Sequence, residues 1–250
     1  MKKLPTALLV LITILLLIPS ISSAQTPFPK ISVSVEEANT PQEVAQSIQI
    51  VILLTILALA PSILIMVTSF SRIAIVFHFL RSALSTQTVP SNQILVSLAL
   101  FLTFFIMRPV FNEINTNAIQ PYLNAEISQQ VALQETVKPI KTFMLKHVGE
   151  KELELFINIS GVAKPQAPDE LKLSTIIPAF IISEIKIAFQ IGFLIYLPML
   201  LIDLIIASIL LSMGMMMLPP VMISLPFKLL LFVLVDGWYL IVESLVKGFL

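Results

Sequence analysis

Residues 173–218 form an almost unbroken apolar stretch, in which Glu184, Lys186 and Asp203 are the charged residues. Pro178 and Pro198 punctuate it. Proline donates no backbone N–H and its ring crowds the preceding turn, so the spacing predicts two apolar helices, over about 176–197 and 198–217. Composition agrees with so apolar a stretch. The 250 residues are 57% hydrophobic and 12% charged, against about 25% charged in typical soluble domains. Half the usual charge cannot cover a soluble surface of this size, so the expected class is an all-α integral membrane protein built from helical hairpins.

The stretch runs into Ser212-Met213-Gly214-Met215-Met216-Met217-Leu218-Pro219-Pro220. Four of the ten methionines fall between 213 and 217. Two adjacent prolines stop a helix, and a second apolar run, 225–235, leads away. This is the tip of a hairpin that carries thioethers instead of polar loop residues. Methionine is unbranched and polarizable, so a cluster of it repacks around different partners. Apolar filler in a core and a deformable seal facing a passage both fit that composition.

Upstream, residues 1–24 read as a cleavable secretory signal. Lys2 and Lys3 precede an apolar core over 4–18, Pro19 ends it, and Ser22 and Ala24 are the small residues before cleavage between Ala24 and Gln25. Residues 25–40 read as an extended exported tether. Thr40-Pro41-Gln42-Glu43 is a capping box with proline at the first helical position. An apolar hairpin over 41–111 follows. Its first helix is kinked or broken at Pro61, a second covers about 62–85, and a third covers 94–107 and ends at Arg108-Pro109. Arg72, His78 and Arg81 lie in the second helix without any acid, which turns that bend toward the cytoplasm.

Residues 112–173 are polar and mostly helical, expected outside the inner membrane, with helices at about 128–147 and 150–159. There Glu150, Glu152 and Glu154 read as a solvated surface. A last helix is expected from about 226 to 247, carrying a Glu243–Lys247 pair.

Five charges interrupt the apolar helices: Glu184, Lys186, Asp203, Lys228 and Asp236. Each costs roughly 2.5–3.5 kcal/mol at mid-bilayer, so each needs a partner. Glu184 and Lys186 are two apart, point to nearly opposite sides of a helix and cannot neutralise each other. Polar contacts that specify an assembly are the preferred reading. Snorkelling of Lys228, hydrogen bonds of Asp203 and Asp236 within the bundle, and an ion path are the alternatives.

The chain has no cysteine and only two histidines, His78 and His147. That removes disulfides, thiolate chemistry and cysteine-based metal sites, and no metal or cofactor is expected. A net charge of zero argues against nucleic acid. No motif brings a nucleophile, a base and an orienting group together, so no enzyme is expected.

Several long strings resemble a known family. PAFIISEIKIAFQIGF at 178–193, PVMISLPFK at 220–228 running on to Val235-Asp236-Gly237-Trp238, TSFSRI at 68–73 and FLTFFIMRP at 101–109 are similar to the FliP family of flagellar type III export-gate proteins. The resemblance covers roughly 48–250, and only loosely over 111–173. It implies a homo-oligomer, a pentamer in the family, that builds the gate with FliQ and FliR at the flagellar basal body. It implies helical hairpins partly raised above the membrane plane, so that some apparent spans are not spans. It implies that unfolded flagellar proteins pass through, and that Met215, Met216 and Met217 act as a gasket around the closed channel. The corresponding gate subunit of a virulence injectisome is the alternative, and the signal at 1–24 favours the flagellar member. A small-ion transporter and a non-conducting scaffold are the readings from other classes.

Overall fold

The computed structural model describes residues 41–86, 88–161, 170–215 and 217–249, with side chains from residue 47 onward. The signal with its Ala24/Gln25 cleavage site, the tether, the capping threonine, most of the 161–168 loop and Met216 lie outside the described residues. All regular structure described is helical. In chain order the elements are α1 (Pro41–Met66), α2 (Phe70–Ala83), α3 (Asn92–Ile114), a π-helical turn (Asn115–Ile119), α4 (Gln120–Leu123), α5 (Gln129–His147), α6 (Glu150–Ser160), α7 (Leu173–Ser212), α8 (Pro220–Leu234) and α9 (Gly237–Lys247). The chain divides into two units, Met1–Ile52 and Leu53–Leu250. The core and every ion pair below belong to the second.

Three helical stretches are long and apolar enough to cross a membrane: Ser47–Met66, Asn92–Leu123 and Leu173–Ser212. The pair α8 and α9, bent by 61°, would make a fourth if it counts as one span.

The expected breaks at Pro61, Pro178 and Pro198 are corrected. α1 continues through Pro61, and α7 runs through both Pro178 and Pro198 as one helix of 40 residues. Nor does Arg108-Pro109 end α3, which contains Pro109. An interior proline removes one hydrogen bond. In an apolar environment, ending the helix would strand several backbone groups without water, so continuation costs less. Pro219-Pro220 does separate two helices as expected, with Pro219 capping α8.

The single last helix over 226–247 is also corrected, because it is two. Asp236 lies between them in the left-handed region at φ 52°. In the polar region the local signals hold. Ser128 caps α5 by accepting from Val131 N–H at 3.4 Å. Glu150 and Glu152 sit in the first turn of α6, where carboxylates suit the helix dipole.

The core gathers around the first half of α7. Ile176 and Phe180 pack with Ile73, Val76 and Phe77 of α2, with Ile106 and Met107 of α3, and with Phe143 and Met144 of α5. Leu245 and Phe249 close it from the end of the chain. A smaller cluster joins Leu80, Ala83 and Leu84 to Met199 and Phe232. α2 and α7 approach closely at Gly192, where a Cβ would lie 2.5 Å from the Phe79 ring and 2.9 Å from its Cβ.

Candidate functional site

The charges buried in the apolar helices find partners within the chain. Arg72 of α2 forks onto Glu184 of α7. Its Nε donates to Glu184 Oε2 at 2.8 Å and its Nη2 donates to Oε1. The side chains are 4% and 0% exposed, so the pair is held in a medium where only paired, hydrogen-bonded charges persist. The remaining arm of the fork, Nη1, donates to Gly248 O at 3.3 Å. The guanidinium also lies 3.8 Å over the Phe249 ring, a cation–π contact.

His147, in the last turn of α5, closes the same cluster. Its Nδ1 is 2.8 Å from Phe143 O and its Nε2 is 3.2 Å from Phe249 O. Burial holds the imidazole below its ordinary pKa of 6.5, against the opposing pull of those two carbonyls. Phe143 stacks on Phe249 with centroids 6.1 Å apart. Four separate parts of the chain therefore meet at one buried ion pair.

A second pair sits farther along α7. Lys228 of α8, 2% exposed, donates to Asp203 Oδ2 at 2.6 Å and to Ser85 Oγ at 2.7 Å. Ser224 donates its O–H to the other oxygen of Asp203. Ser85 holds φ 58° just beyond the end of α2. Lys228 is thus buried and paired, not snorkelling.

Lys186 donates to Glu152 Oε1 of α6 at 2.7 Å. Glu152 is therefore not merely part of a solvated acidic surface, and the Lys186 bond draws its pKa below the ordinary carboxylate value. Beside it, Gly149 N–H donates to Ser183 Oγ at 2.9 Å. Asp236 is exposed; it forms the bend between α8 and α9 and has no ion pair among the described residues. Those residues hold no cluster of His, Asp or Glu suited to a metal ion.

The methionine loop is aimed by the end of α7. Gly214, at φ +74°, takes the left-handed position that glycine occupies without a side-chain clash. Gly214 N–H donates to Leu211 O at 3.0 Å and Met215 N–H to Leu210 O at 2.9 Å, which is the double bond of a Schellman cap. Past it, Met217 is 98% exposed and Met215 is exposed as well. The loop thus presents flexible thioethers outward from a fixed helix end.

The sequence matches the FliP family over residues 53–245. The chain belongs to the FliP family. It is similar to the flagellar biosynthetic protein FliP of Bacillus subtilis (strain 168), 53% identical over 217 residues that cover 87% of this chain and 98% of that one. FliP of Aquifex aeolicus (strain VF5) is 48% identical over 71% of this chain and 75% of its own. FliP of Cereibacter sphaeroides is 45% identical over 89% and 73%. As a FliP-family protein the chain is a helical membrane protein and not an enzyme.

The matched region contains the buried pairs found among the described residues, Arg72–Glu184 and Lys228–Asp203, and the partners that sequence reasoning missed: Arg72, Ser85, Glu152, His147 and Ser224. Arg72 carried a signal, being an arginine in an apolar helix without an acid. The others carried none, because their partners lie 21 to 143 residues away in the chain.

Proposed function

We propose that the chain is a channel-forming subunit of the flagellar type III protein-export gate, passing unfolded flagellar proteins across the inner membrane at the basal body. It works as a homo-oligomer, a pentamer, together with FliQ and FliR, with residues 112–173 on the periplasmic side. The loop at Met215, Met216 and Met217 seals the closed pore.

One observation carries this reading: the length and nakedness of α7, which ends in the methionine loop. At 1.5 Å per residue, 40 residues span about 60 Å, twice the roughly 30 Å hydrocarbon core. Phe193, Leu194, Leu201, Leu204 and Leu211 are exposed along it. The first half of the helix is wrapped by α2, α3 and α5 of the same chain, and the bare stretch beyond Phe193 is left for the bilayer and for further protein. Copies of the same chain and partner helices supply that cover, and the loops at the helix tips then converge. Pliable apolar side chains exclude water and ions when shut and yield around varied side chains in passage. Glu184 and Asp203 are held by Arg72 and Lys228, which leaves neither as the free carboxylate that a coupling-ion transporter needs.

The test uses a strain deleted for this gene. Surface filaments and secreted flagellar proteins should both be lost and both return with the intact gene. Normal filaments would sink the flagellar assignment, and lost effector secretion would then point to an injectisome. In the complemented strain, replacing Met215, Met216 and Met217 together by alanine should raise ion conductance of the resting membrane. Unchanged conductance would reject the seal.

A further inference from the structure

A polar cavity of about 450 Å³ opens between α2, α7 and α8, apart from the methionine loop. His78, Arg81 and Ser85, from the end of α2 and the turn after it, line one side, and Tyr196 and Asp203 of α7 line the other. Its charge does not cancel. Lys228 neutralises Asp203. Arg81 makes no ion pair among the described residues, and its Nη2 rests 3.4 Å from His78 Nδ1. The cavity therefore carries one uncompensated, permanent positive charge.

The other polar groups are suited to donate. Ser85 Oγ accepts from Lys228, which leaves its own O–H for another acceptor. Tyr196 adds a phenol O–H at the wall. Asp203 is the acceptor among them, and both its oxygens are taken, by Lys228 and Ser224. One guanidinium and two hydroxyls around one space suit an oxyanion with several acceptor oxygens.

The surroundings say what brings that oxyanion. Val221 lines the cavity, and Leu197 and Leu200 on α7 and Met222 on α8 are exposed nearby in the chain. A free anion makes no use of apolar neighbours, whereas acyl chains do. Arg81 lies in the last turn of α2, at the bend that leads to α3, and basic pockets between membrane helices take up phospholipid headgroups.

We propose that this cavity binds a phosphoryl group, that of a membrane phospholipid. Arg81 is its cation, Ser85 and Tyr196 are its hydroxyl donors, and the acyl chains lie along the exposed face beside Val221. The channel reading gives most of the bare α7 stretch to neighbouring chains, and this assignment needs only the face beside Val221 to meet lipid.

The test takes the full chain, extracted with its partner subunits from its own membrane in mild detergent, and measures retained lipid by native mass spectrometry. Phosphatidylglycerol, diacylglycerol with the same chains, and inorganic phosphate are added in separate arms. Phosphatidylglycerol should be retained and diacylglycerol should not. Losing a charge-assisted hydrogen bond should make Arg81→Gln lower phosphatidylglycerol retention about tenfold, and Tyr196→Phe should lower it less. Arg108→Gln, which removes an exposed arginine of α3 outside the cavity, should change nothing.

Equal retention by wild type and Arg81→Gln, or an equal fall in Arg108→Gln, would overturn the site. Retention of inorganic phosphate without lipid would assign the phosphoryl group to a free anion and overturn the lipid. A Ser82→Cys chain that cross-links efficiently to another protein while retaining no lipid would show a protein side chain in the cavity and reject the proposal.

Discussion

Arg72 and Glu184 set the most severe condition in the molecule, because each makes the other tolerable. Removing one partner of a buried pair leaves a charge without water or counter-ion and costs about 3–5 kcal/mol. Glu184→Gln should therefore lower the thermal unfolding midpoint of the detergent-solubilised protein sharply. The double change Arg72→Met with Glu184→Leu should recover most of the loss, since well-packed apolar replacements of a buried pair are often neutral. A double variant as unstable as the single would show that the pair contributes more than its mutual neutralisation. His147 adds a pH dependence in the same cluster. Its folded pKa lies below 6.5 because of burial, so its contribution is fully present above pH 6.5 and is lost as the pH falls through the depressed folded value. The midpoint should drop over that acid window, and His147→Gln should flatten the drop. An unaltered profile in His147→Gln would assign the acid sensitivity to other groups. None of this was legible in the sequence as a pairing. Glu184 was recognised as needing a partner, but Arg72 lies 112 residues away, and no local rule spans that distance.

Among the elements, several helix starts and stops set by a local device were readable: the start of α5 at Ser128, the boundaries of α6 at Gly149 and Gly161, and Pro219-Pro220 after the methionine loop. The failures at proline share a cause. The proline rule that predicts a break at Pro61, Pro109, Pro178 and Pro198 holds where water takes up the freed backbone groups, and in apolar helices it does not. Asp236-Gly237 was read through as helix although Asp-Gly is a turn signal, because apolar residues continue on both sides. Gly192 shows how tightly the elements then close. A methyl group there meets the Phe79 ring near its root, so the ring cannot swing away cheaply. Gly192→Ala should destabilise by about 1–3 kcal/mol through overpacking, read as a lower thermal midpoint. Phe79→Leu in the same chain should restore part of it. No change in Gly192→Ala would refute the close approach of α2 and α7.

At the scale of the whole molecule, the distribution of cover is uneven. The first half of α7 is wrapped by α2, α3 and α5 around Phe180, while the stretch beyond Phe193 keeps large apolar side chains exposed. Membrane class followed from composition, but this division did not, because both halves of α7 have the same apolar character. What separates them is which other segments reach them, and that is a property of the tertiary fold. The buried pairs follow the division: Arg72 and Glu184 sit at the wrapped end, and Asp203 with Lys228 ties α7 to α8 within the bare hairpin.

The unbroken run of α7 through Pro198 has a mechanical consequence. From Glu184 to Ser212 the helix rises about 42 Å, and α2 with the turn after it holds it along the way, at Gly192 against Phe79, at Met199 against Leu80 and Ala83, and at Asp203 through Lys228 and Ser85. Only the last stretch, about 14 Å beyond Asp203, is a free arm, and a rotation of about 10° there moves the tip through roughly 2 Å. Two separate helices hinged at Pro198 would let the tip swing more widely. One continuous rod, with α8 lashed to it by Lys228, confines Met215 and Met217 to that short travel.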